Sequence, residues 1–190
     1  MKNQSIRQAP GFSLIELMIA IAIVAILLAL GLPGFNSLIT RNRIASQTSD
    51  FATSLSLARS EAIKRGLPVV VRRTTTNWES GWQVFVDADN DETYTAGTDT
   101  LLRSYDLLTG GNTLRTSSGS SSTQFGQWIR FSSLGAVTAA NGTAVAGDFR
   151  LCGASADVTT AYGIRIGSSG QISQCKLSDC PMANTSKVCP

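Results

Sequence analysis

The stretch Gly11-Phe12-Ser13-Leu14-Ile15-Glu16 opens an apolar run that extends to Leu32. Ser13 and Glu16 are the polar residues of this run. In a helix, which rises about 1.5 Å per residue, residues 12–32 would extend roughly 32 Å and match the hydrocarbon core of a bilayer. The sequence therefore predicts a membrane-spanning helix here.

Glu16 is the unusual residue of this run. An ionised side chain within a spanning segment costs roughly 2.5–3.5 kcal/mol and needs a partner, yet the run contains no basic residue. The ten residues before Gly11 are polar, carry Lys2 and Arg7, and lack the small-residue cleavage site of an ordinary signal peptide. These two basic residues favour a cytoplasmic N-terminus, which places the bulk of the chain outside the cytoplasm.

The same residues resemble the class III leader of type IV prepilins and of type II secretion pseudopilins, which ends in Gly-Phe-Ser/Thr-Leu-Ile-Glu. The resemblance implies that a prepilin peptidase cuts after Gly11 and methylates Phe12, the new N-terminal residue. It also implies that Glu16 neutralises the terminal amine of a neighbouring subunit when the helices assemble into a filament. Other major and minor pilins would then be the partners of this helix.

A plain signal anchor, or a signal peptide cut near Ala29-Leu30-Gly31, is the alternative interpretation. Glu16 within the apolar stretch argues against both.

The composition indicates one modest domain beyond this segment. The chain has 190 residues, of which about 30 would belong to the leader and the membrane helix. The formal net charge is +3, and loss of Lys2 and Arg7 with the leader leaves 14 basic against 13 acidic residues, a charge of +1. So small a charge excludes wholesale electrostatic binding of nucleic acid, although it allows a local basic patch.

The four cysteines, Cys152, Cys175, Cys180 and Cys189, lie late in the chain, in a part predicted to face an oxidising compartment. We therefore expect two disulfides. Spacing does not choose among the three pairings, but Cys152–Cys175 with Cys180–Cys189 is favoured because both bonds would close local loops. Zinc binding is the alternative, and the absence of a Cys-x-x-Cys pair and of histidine argues against it.

After the apolar run the helix is predicted to bend at Pro33, which lacks a backbone N–H, and then to continue. Glu61 and Arg65 form an i,i+4 pair, and Gly66 is expected to end the helix near Arg65. Residues at steps of three and four predict one buried stripe on this second half: Ile44, Thr48, Phe51, Leu55, Ala58 and Ala62.

From residue 67 the pattern changes to β-strands. Short runs rich in β-branched and aromatic residues predict strands at 69–73, 82–86, 101–107, 113–116, 128–131, 148–152, 162–166 and 171–174. Residues 167–170 predict a hairpin turn, whereas 117–123 and 139–147 predict exposed loops. The fold class is therefore α+β, with one long N-terminal helix packed on an antiparallel sheet or on two small sheets.

Three further motifs narrow the resemblance: Ala-Arg-Ser-Glu-Ala at 58–62, Gly-Trp-Gln-Val-Phe-Val-Asp at 81–87 and Phe-Arg-Leu-Cys at 149–152. Together they look like the FimT/FimU/GspH group of minor pilins and minor pseudopilins H, which implies a pilin fold. The expected parts are a leader at 1–11, a membrane and filament-core helix at 12–32, its amphipathic half at 33–66, and a periplasmic β-rich domain at 67–190 with a Cys-rich tail.

An acidic loop offers a candidate metal site. Asp87, Asp89 and Asp91 alternate along it, with Glu92 and Asp99 nearby, so their carboxylates are candidate ligands of a hard cation such as Ca²⁺. The spacing begins like an EF-hand, but Glu92 replaces the turn glycine and a threonine stands where the bidentate glutamate belongs. The alternative is an acidic turn whose side chains cap the local backbone.

DNA binding is suggested by the FimT branch, some of whose members are associated with DNA uptake through a Gly-Arg-x-Arg hairpin. Residues 170–173 are here Gly-Gln-Ile-Ser, so both arginines and their charge-assisted phosphate contacts are missing. Arg165, Lys176 and Lys187 are the candidate replacements, with Arg72 and Arg73 as a further basic pair. Isolated basic residues at a sheet edge also serve simply to prevent aggregation.

The sequence contains no histidine, no Gly-x-Ser-x-Gly motif, no phosphate loop and no zinc-protease helix, so we expect no enzyme. The expected function is that of a minor pilin that primes a type IV pilus or lies at its tip, with no cofactor except calcium in the acidic loop. The alternatives are the minor pseudopilin H of a type II secretion system and a DNA-binding pilin for natural transformation. In each case the chain is expected in the bacterial inner membrane, with its C-terminal domain in the periplasm, before assembly into a pilus or pseudopilus.

Overall fold

The computed structural model describes residues 11–116, 123–180 and 189, and the side chains of residues 29–34, 123 and 124 are outside that description. Residues 1–10 of the predicted leader, the Ser/Gly-rich residues 117–122 and most of the tail after Cys180 therefore lie outside the described residues. The chain divides into two compact units, one ending at Ile39 and one beginning at Thr40.

One long helix, α1 (Leu14–Arg65), begins the described chain. It continues as helix through Pro33, whose side chain is not described, so the bend predicted there stays a prediction. Among the described residues, no helix is long and apolar enough to cross a membrane. The predicted span at 12–32 extends into residues 29–32, whose side chains are likewise not described.

The second half of α1 buries the predicted stripe, since all six of its residues are fully buried. The hydroxyl of Thr48 donates to the carbonyl of Ile44 at 2.8 Å, so its burial leaves no unmet donor. The helix ends as predicted. Arg65 pairs with the Glu61 carboxylate at 2.6 Å, and Gly66 has a φ of +67°, a left-handed conformation that glycine adopts without strain.

The β-domain contains nine strands within the described residues. They are β1 (Val69–Arg73), β2 (Trp82–Val86), β3 (Thr100–Tyr105), β4 (Thr113–Thr116), β5 (Trp128–Phe131), β6 (Val137–Thr138), β7 (Gly147–Cys152), β8 (Tyr162–Ile166) and β9 (Ile172–Lys176). Two antiparallel sheets result, with the orders β3-β2-β1-β5-β6 and β4-β7-β8-β9. Short 3-10 helices lie at Trp78–Ser80 and Thr123–Gly126.

All predicted strands are present, with shifted ends in β3, β7 and β9. β3 stops at Tyr105 rather than 107 because the chain then leaves the sheet, and the Leu108 N–H donates to the Glu79 carbonyl at 2.8 Å. The two-residue strand β6 is not predicted by the sequence pattern. It is held in place by pairing with β5, and the Val137 N–H donates to the Ser168 carbonyl at 2.9 Å.

An aromatic cluster forms the centre of the core. Phe51 of α1 meets Trp78, Trp82 and Phe149 edge to face, with ring centroids 5.5, 5.1 and 5.0 Å apart. Trp82 lies on β2 in the first sheet and Phe149 on β7 in the second. One helix side chain therefore joins both sheets, which confirms the α+β fold with two small sheets.

Two disulfides are present, but the predicted pairing is wrong. The bonds are Cys152–Cys189 and Cys175–Cys180. Sheet order explains the error, because Cys175 lies opposite Gly163 of β8, and Gly163 in turn lies opposite Arg150 of β7. Two strand spacings of roughly 4.8 Å keep Cys175 and Cys152 beyond the Cα separation that a disulfide spans.

The two bonds should differ in their contribution to stability. Cys152–Cys189 joins residues 37 apart and Cys175–Cys180 residues 5 apart. On loop-closure entropy alone, the longer loop is worth about 4 kcal/mol and the shorter about 2 kcal/mol. We expect the Cys152→Ser/Cys189→Ser variant to lose more free energy of unfolding in denaturant than the Cys175→Ser/Cys180→Ser variant. Proteolysis without reduction should yield these two cross-linked peptides, and cross-links between 152 and 175 would contradict the observed pairing.

Candidate functional site

The N-terminal segment is built around a helix cap. Ser13 precedes α1, and the Glu16 N–H donates to the Ser13 hydroxyl at 3.3 Å and to the Ser13 carbonyl at 3.1 Å. This is half of a capping box, in which serine and a glutamate three residues later begin a helix. Ser13 is not among the predicted functional residues, although the Ser-x-x-Glu spacing is a sequence signature of this cap.

Phe12 lies on the N-terminal side of this cap, outside the helix, and its side chain is exposed. Phe12 is 81% exposed and Glu16 is also exposed. Within the described part of the chain, the Glu16 carboxylate forms no ion pair. Gly11 and Phe12 therefore lie just before α1, and Glu16 lies in its first turn with an exposed side chain that is available to a group from outside the chain.

In the acidic loop, the carboxylates of Asp87, Asp89 and Asp99 lie within 4.8 Å of one another. Asp91, a predicted member, lies outside this group, and its carboxylate accepts the Thr93 N–H at 2.6 Å. Asp99 takes its place because the chain returns between Thr95 and Asp99, where the Asp99 N–H donates to the Thr95 carbonyl at 2.9 Å. Twelve residues thus separate the first and last members of the group.

The carboxylates of the two buried members of this group, Asp87 and Asp99, accept hydrogen bonds from backbone amides. Asp87, which is fully buried, accepts the N–H groups of Asp91 and Glu92 at 3.1 and 3.3 Å. Asp99 accepts those of Ala88 and Thr95 at 3.0 and 2.7 Å. This arrangement matches the alternative interpretation, in which the carboxylates cap the loop. Calcium binding stays a prediction from the sequence.

Burial raises the pKa of two carboxyl groups in this loop, those of Asp87 and Glu92. Burial raises the pKa of Asp87 above its ordinary value, although the amides of Glu92 and Asp91 and the charge of Arg130 act the other way. Burial also raises the pKa of Glu92, despite an ion pair with Arg130 at 3.3 Å. Arg130 and Arg72 hold the loop from β5 and β1 through contacts to Asn90 and Glu92.

The basic residues considered for DNA are not brought together as a site. Arg165 on β8 donates to the Asp148 carboxylate at 3.0 Å, so its charge is already neutralised. Lys176 is exposed at the end of β9, and Lys187 lies outside the described residues. Arg72 donates to the Glu92 carbonyl at 2.5 Å.

The hairpin at 167–170 is packed against the protein. Arg59 of α1 donates to the carbonyls of Gly135 and Ser169 at 3.2 and 3.1 Å, and so joins the β5–β6 loop to this hairpin. Gly170 has a φ of +79°, and a Cβ there would lie 1.9 Å from the Gly135 carbonyl oxygen. Only glycine permits this approach. Arg59 is a structural residue that sequence analysis quoted only as part of a motif.

Comparison with family models gives two matches. Residues 6–32 match a model described as the prokaryotic N-terminal methylation motif, and residues 47–170 match one described as type II transport protein GspH. The chain belongs to the GspH family. The second match extends over more than half of the chain, from the amphipathic half of α1 to the β8–β9 hairpin, and it confirms the resemblance found in the sequence. A search of curated protein sequences finds no match.

Solved structures confirm the fold of this GspH-family chain. The type IV minor pilin FimU of Pseudomonas aeruginosa, in one crystal form, is 17% identical and has a TM-score of 0.56 over 75% of this chain and 96% of FimU. A second crystal form is 18% identical, with a TM-score of 0.55 over 73% and 98%. The minor pseudopilin EpsH of the Vibrio cholerae type 2 secretion system is 14% identical, with a TM-score of 0.49 over 70% and 97%. At these identities the FimU likeness shows the pilin fold alone.

The raised pKa of Asp87 predicts a pH dependence of stability. A carboxyl group whose folded pKa lies above its unfolded value binds protons more readily when folded, so its contribution to the free energy of unfolding falls as pH rises between those two values. We expect the Asp87 carboxyl resonance to titrate above the ordinary aspartate value in an NMR pH series. A titration at or below that value would contradict the dominance of burial.

The same titration tests calcium, because a bound cation would favour the ionised form and lower the pKa of Asp87. Asp89→Asn is the matched variant, since it removes an exposed carboxylate of the group but leaves the backbone caps made by Asp87 and Asp99. If calcium binds here, it should lower the pKa at which Asp87 titrates in the wild-type chain, and it should lower that pKa less in the Asp89→Asn variant. If calcium leaves the wild-type titration unchanged, the calcium hypothesis is wrong.

Proposed function

We propose that the chain is a structural subunit of a type IV filament, namely a minor pilin that helps to prime assembly of a type IV pilus or lies at its tip. The observation that carries this proposal is the presence, in one chain, of the N-terminal methylation motif at 6–32 and of a GspH-family domain at 47–170. Membership of this family supports a function through protein contacts, with no reaction catalysed.

Processing and assembly follow from the first turn of α1. A prepilin peptidase that cuts after Gly11 leaves Phe12 as the methylated N-terminal residue, just ahead of the Ser13 cap. The amine of one subunit then meets the Glu16 carboxylate of a neighbour in the apolar filament core. Each charge removes the cost of burying the other there.

The parts of the chain have separate tasks in this proposal. Residues 12–32 hold the subunit in the inner membrane before assembly and form the filament core afterwards. Residues 33–66 join this core to the β-domain at 67–190, which faces the periplasm and later the filament surface. The buried stripe from Ile44 to Ala62 supports this division, because that half of α1 is already packed within its own domain.

A minor pseudopilin of a type II secretion system is the second candidate. The description of the family model, a type II transport protein, supports it. The same helix and processing would serve a periplasmic pseudopilus.

DNA binding is the least supported of the three functions. Arg165 is paired with Asp148, and the hairpin that carries the contact in FimT relatives is held here by Arg59.

Loss of the Glu16 charge should block assembly without blocking processing. We expect Glu16→Gln to be cleaved after Gly11 and methylated on Phe12, but to be depleted about tenfold or more from sheared filaments, given the cost of an unpaired charge in an apolar core. Glu61→Gln, which removes a carboxylate near the opposite end of α1, is the matched control. Mass spectrometry of the mature N-terminus and quantitative immunoblotting of filaments measure the two effects. Equal incorporation of both variants would remove the proposed role of Glu16, and a mature start near Leu32 would indicate a signal peptide.

Deletion of the gene distinguishes the two filaments. If the chain is a priming minor pilin, cells lacking it should lose surface pili in electron micrographs and regain them on complementation, and any defect in DNA uptake would be secondary. Normal piliation together with loss of type II secretion would favour the pseudopilin. Normal piliation with loss of DNA uptake would favour the DNA-binding pilin.

A further inference from the structure

A small pocket lies between the end of β1 and the edge strand β4. Its volume is about 180 Å³, and its polar lining comes from Arg73, Asn77, Arg115 and Thr116, with Gly126 at its wall. None of these residues belongs to the N-terminal segment or to the acidic loop. The pocket is smaller than the roughly 300–1,000 Å³ of typical small-molecule sites, so its size suits a single functional group.

Trp78 and Leu114 complete the lining, and its polar part is rich in hydrogen-bond donors. Arg73 is half-buried, and its guanidinium makes no hydrogen bond or ion pair within the described residues. Asn77 occupies the N-cap position of the 3-10 helix at Trp78–Ser80, yet its side chain does not cap that helix. Arg115 binds the carboxylate of Glu79 and, more weakly, the Leu114 carbonyl at 3.3 Å. The lining therefore carries two guanidinium groups, and Glu79 neutralises the charge of Arg115 alone, which leaves the pocket positively charged.

Arg115 is also partly desolvated, since burial lowers the pKa of its guanidinium. A guanidinium that loses hydration is stabilised by an anion that restores its hydrogen bonds. The lining thus has the charge and the donors to bind an oxyanion.

We propose that this pocket binds a carboxylate presented by an acidic side chain of a neighbouring filament subunit. The guanidinium of Arg73 offers two parallel N–H donors, the geometry that a carboxylate accepts in a bidentate manner. Asn77 and Thr116 add neutral donors at the same pocket. The inference that a filament subunit supplies the carboxylate rests on the proposed function, whereas the inference that the pocket binds a carboxylate does not.

The surroundings favour one carboxylate over a nucleic acid. A DNA backbone is bound through several basic residues that follow successive phosphates. Arg72, the neighbour of Arg73 on β1, instead donates to the Glu92 carbonyl and does not extend the basic lining of the pocket. The basic lining of the pocket therefore does not continue as a stripe along β1.

Binding can be tested with the full-length chain in detergent micelles. The probe is N-acetylated, C-amidated tetraglutamate, with tetraglutamine as its uncharged counterpart, titrated by NMR or calorimetry. We expect tetraglutamate alone to bind, and Arg73→Gln to weaken it about tenfold, since a charge-assisted bidentate contact is lost. Arg103→Gln is the matched control because Arg103 is an exposed arginine of the same sheet, placed over the Tyr105 ring at 5.2 Å, outside the pocket.

A second variant keeps the test decisive if Arg73→Gln does not fold. A Cβ at Gly126 would meet nothing within 4 Å, so Gly126→Leu adds bulk at the wall without a clash and should also weaken tetraglutamate binding. Equal binding of the two peptides, or equal losses in the Arg73 and Arg103 variants, would overturn the proposal. Binding of oligothymidylate through Arg73, without binding of tetraglutamate, would assign the pocket to nucleic acid instead.

Experiments in cells can distinguish a failure of this inference from a failure of the proposed function. Arg73→Gln should be processed and methylated normally, yet reach filaments in reduced amounts compared with Arg103→Gln. If incorporation requires Glu16 but is indifferent to Arg73, the filament function stands and the proposal that a neighbouring filament subunit supplies the carboxylate is wrong. If the wild-type chain is absent from all filaments, the proposed function fails whatever the peptide titration shows.

Discussion

The edge-to-face packing of Phe51 is the contact on which the β-domain depends. Its ring meets Trp78 and Trp82 on the side of the first sheet and Phe149 in the second, so one helix residue closes the core between two sheets. Each such aromatic pair is worth about 0.5–1.5 kcal/mol beyond the burial of its area. The cluster also sets the position of α1 along the sheets. Two turns later, Arg59 is consequently placed to bind the carbonyls of Gly135 and Ser169.

Periodicity predicted those parts of the fold that are decided locally. The steps of three and four from Ile44 to Ala62 identified a face that is fully buried, and β-branched runs such as 69–73 identified strands, because both patterns follow from the geometry of one element. The stop at Gly66 was predictable for the same reason, since it requires only a residue that tolerates positive φ. The N-terminal motif was likewise local, because Gly11 to Glu16 are consecutive.

Features that depend on the order of strands were not predictable. The choice of Cys175 as the partner of Cys152 assumed that nearness in sequence decides pairing, but β8 lies between their strands. Asp99 replaced Asp91 in the acidic group because a loop turns back on itself. The pocket at Arg73 has the same origin, since β1 and β4 lie in different sheets and Arg115 follows Arg73 by 42 positions in the sequence.

The disulfides have a mechanical consequence. If the chain is a filament subunit as proposed, tension on the filament would act along α1 and reach the β-domain through the buried stripe. Antiparallel strands separate most easily when a terminal edge strand is peeled away one hydrogen bond at a time, and β9 is such a strand. The Cys152–Cys189 bond ties the tail beyond β9 back to β7, and Cys175–Cys180 closes the chain directly after that strand. Traction on the tail is therefore carried by covalent bonds to an interior strand, and the edge of the second sheet does not become a starting point for rupture.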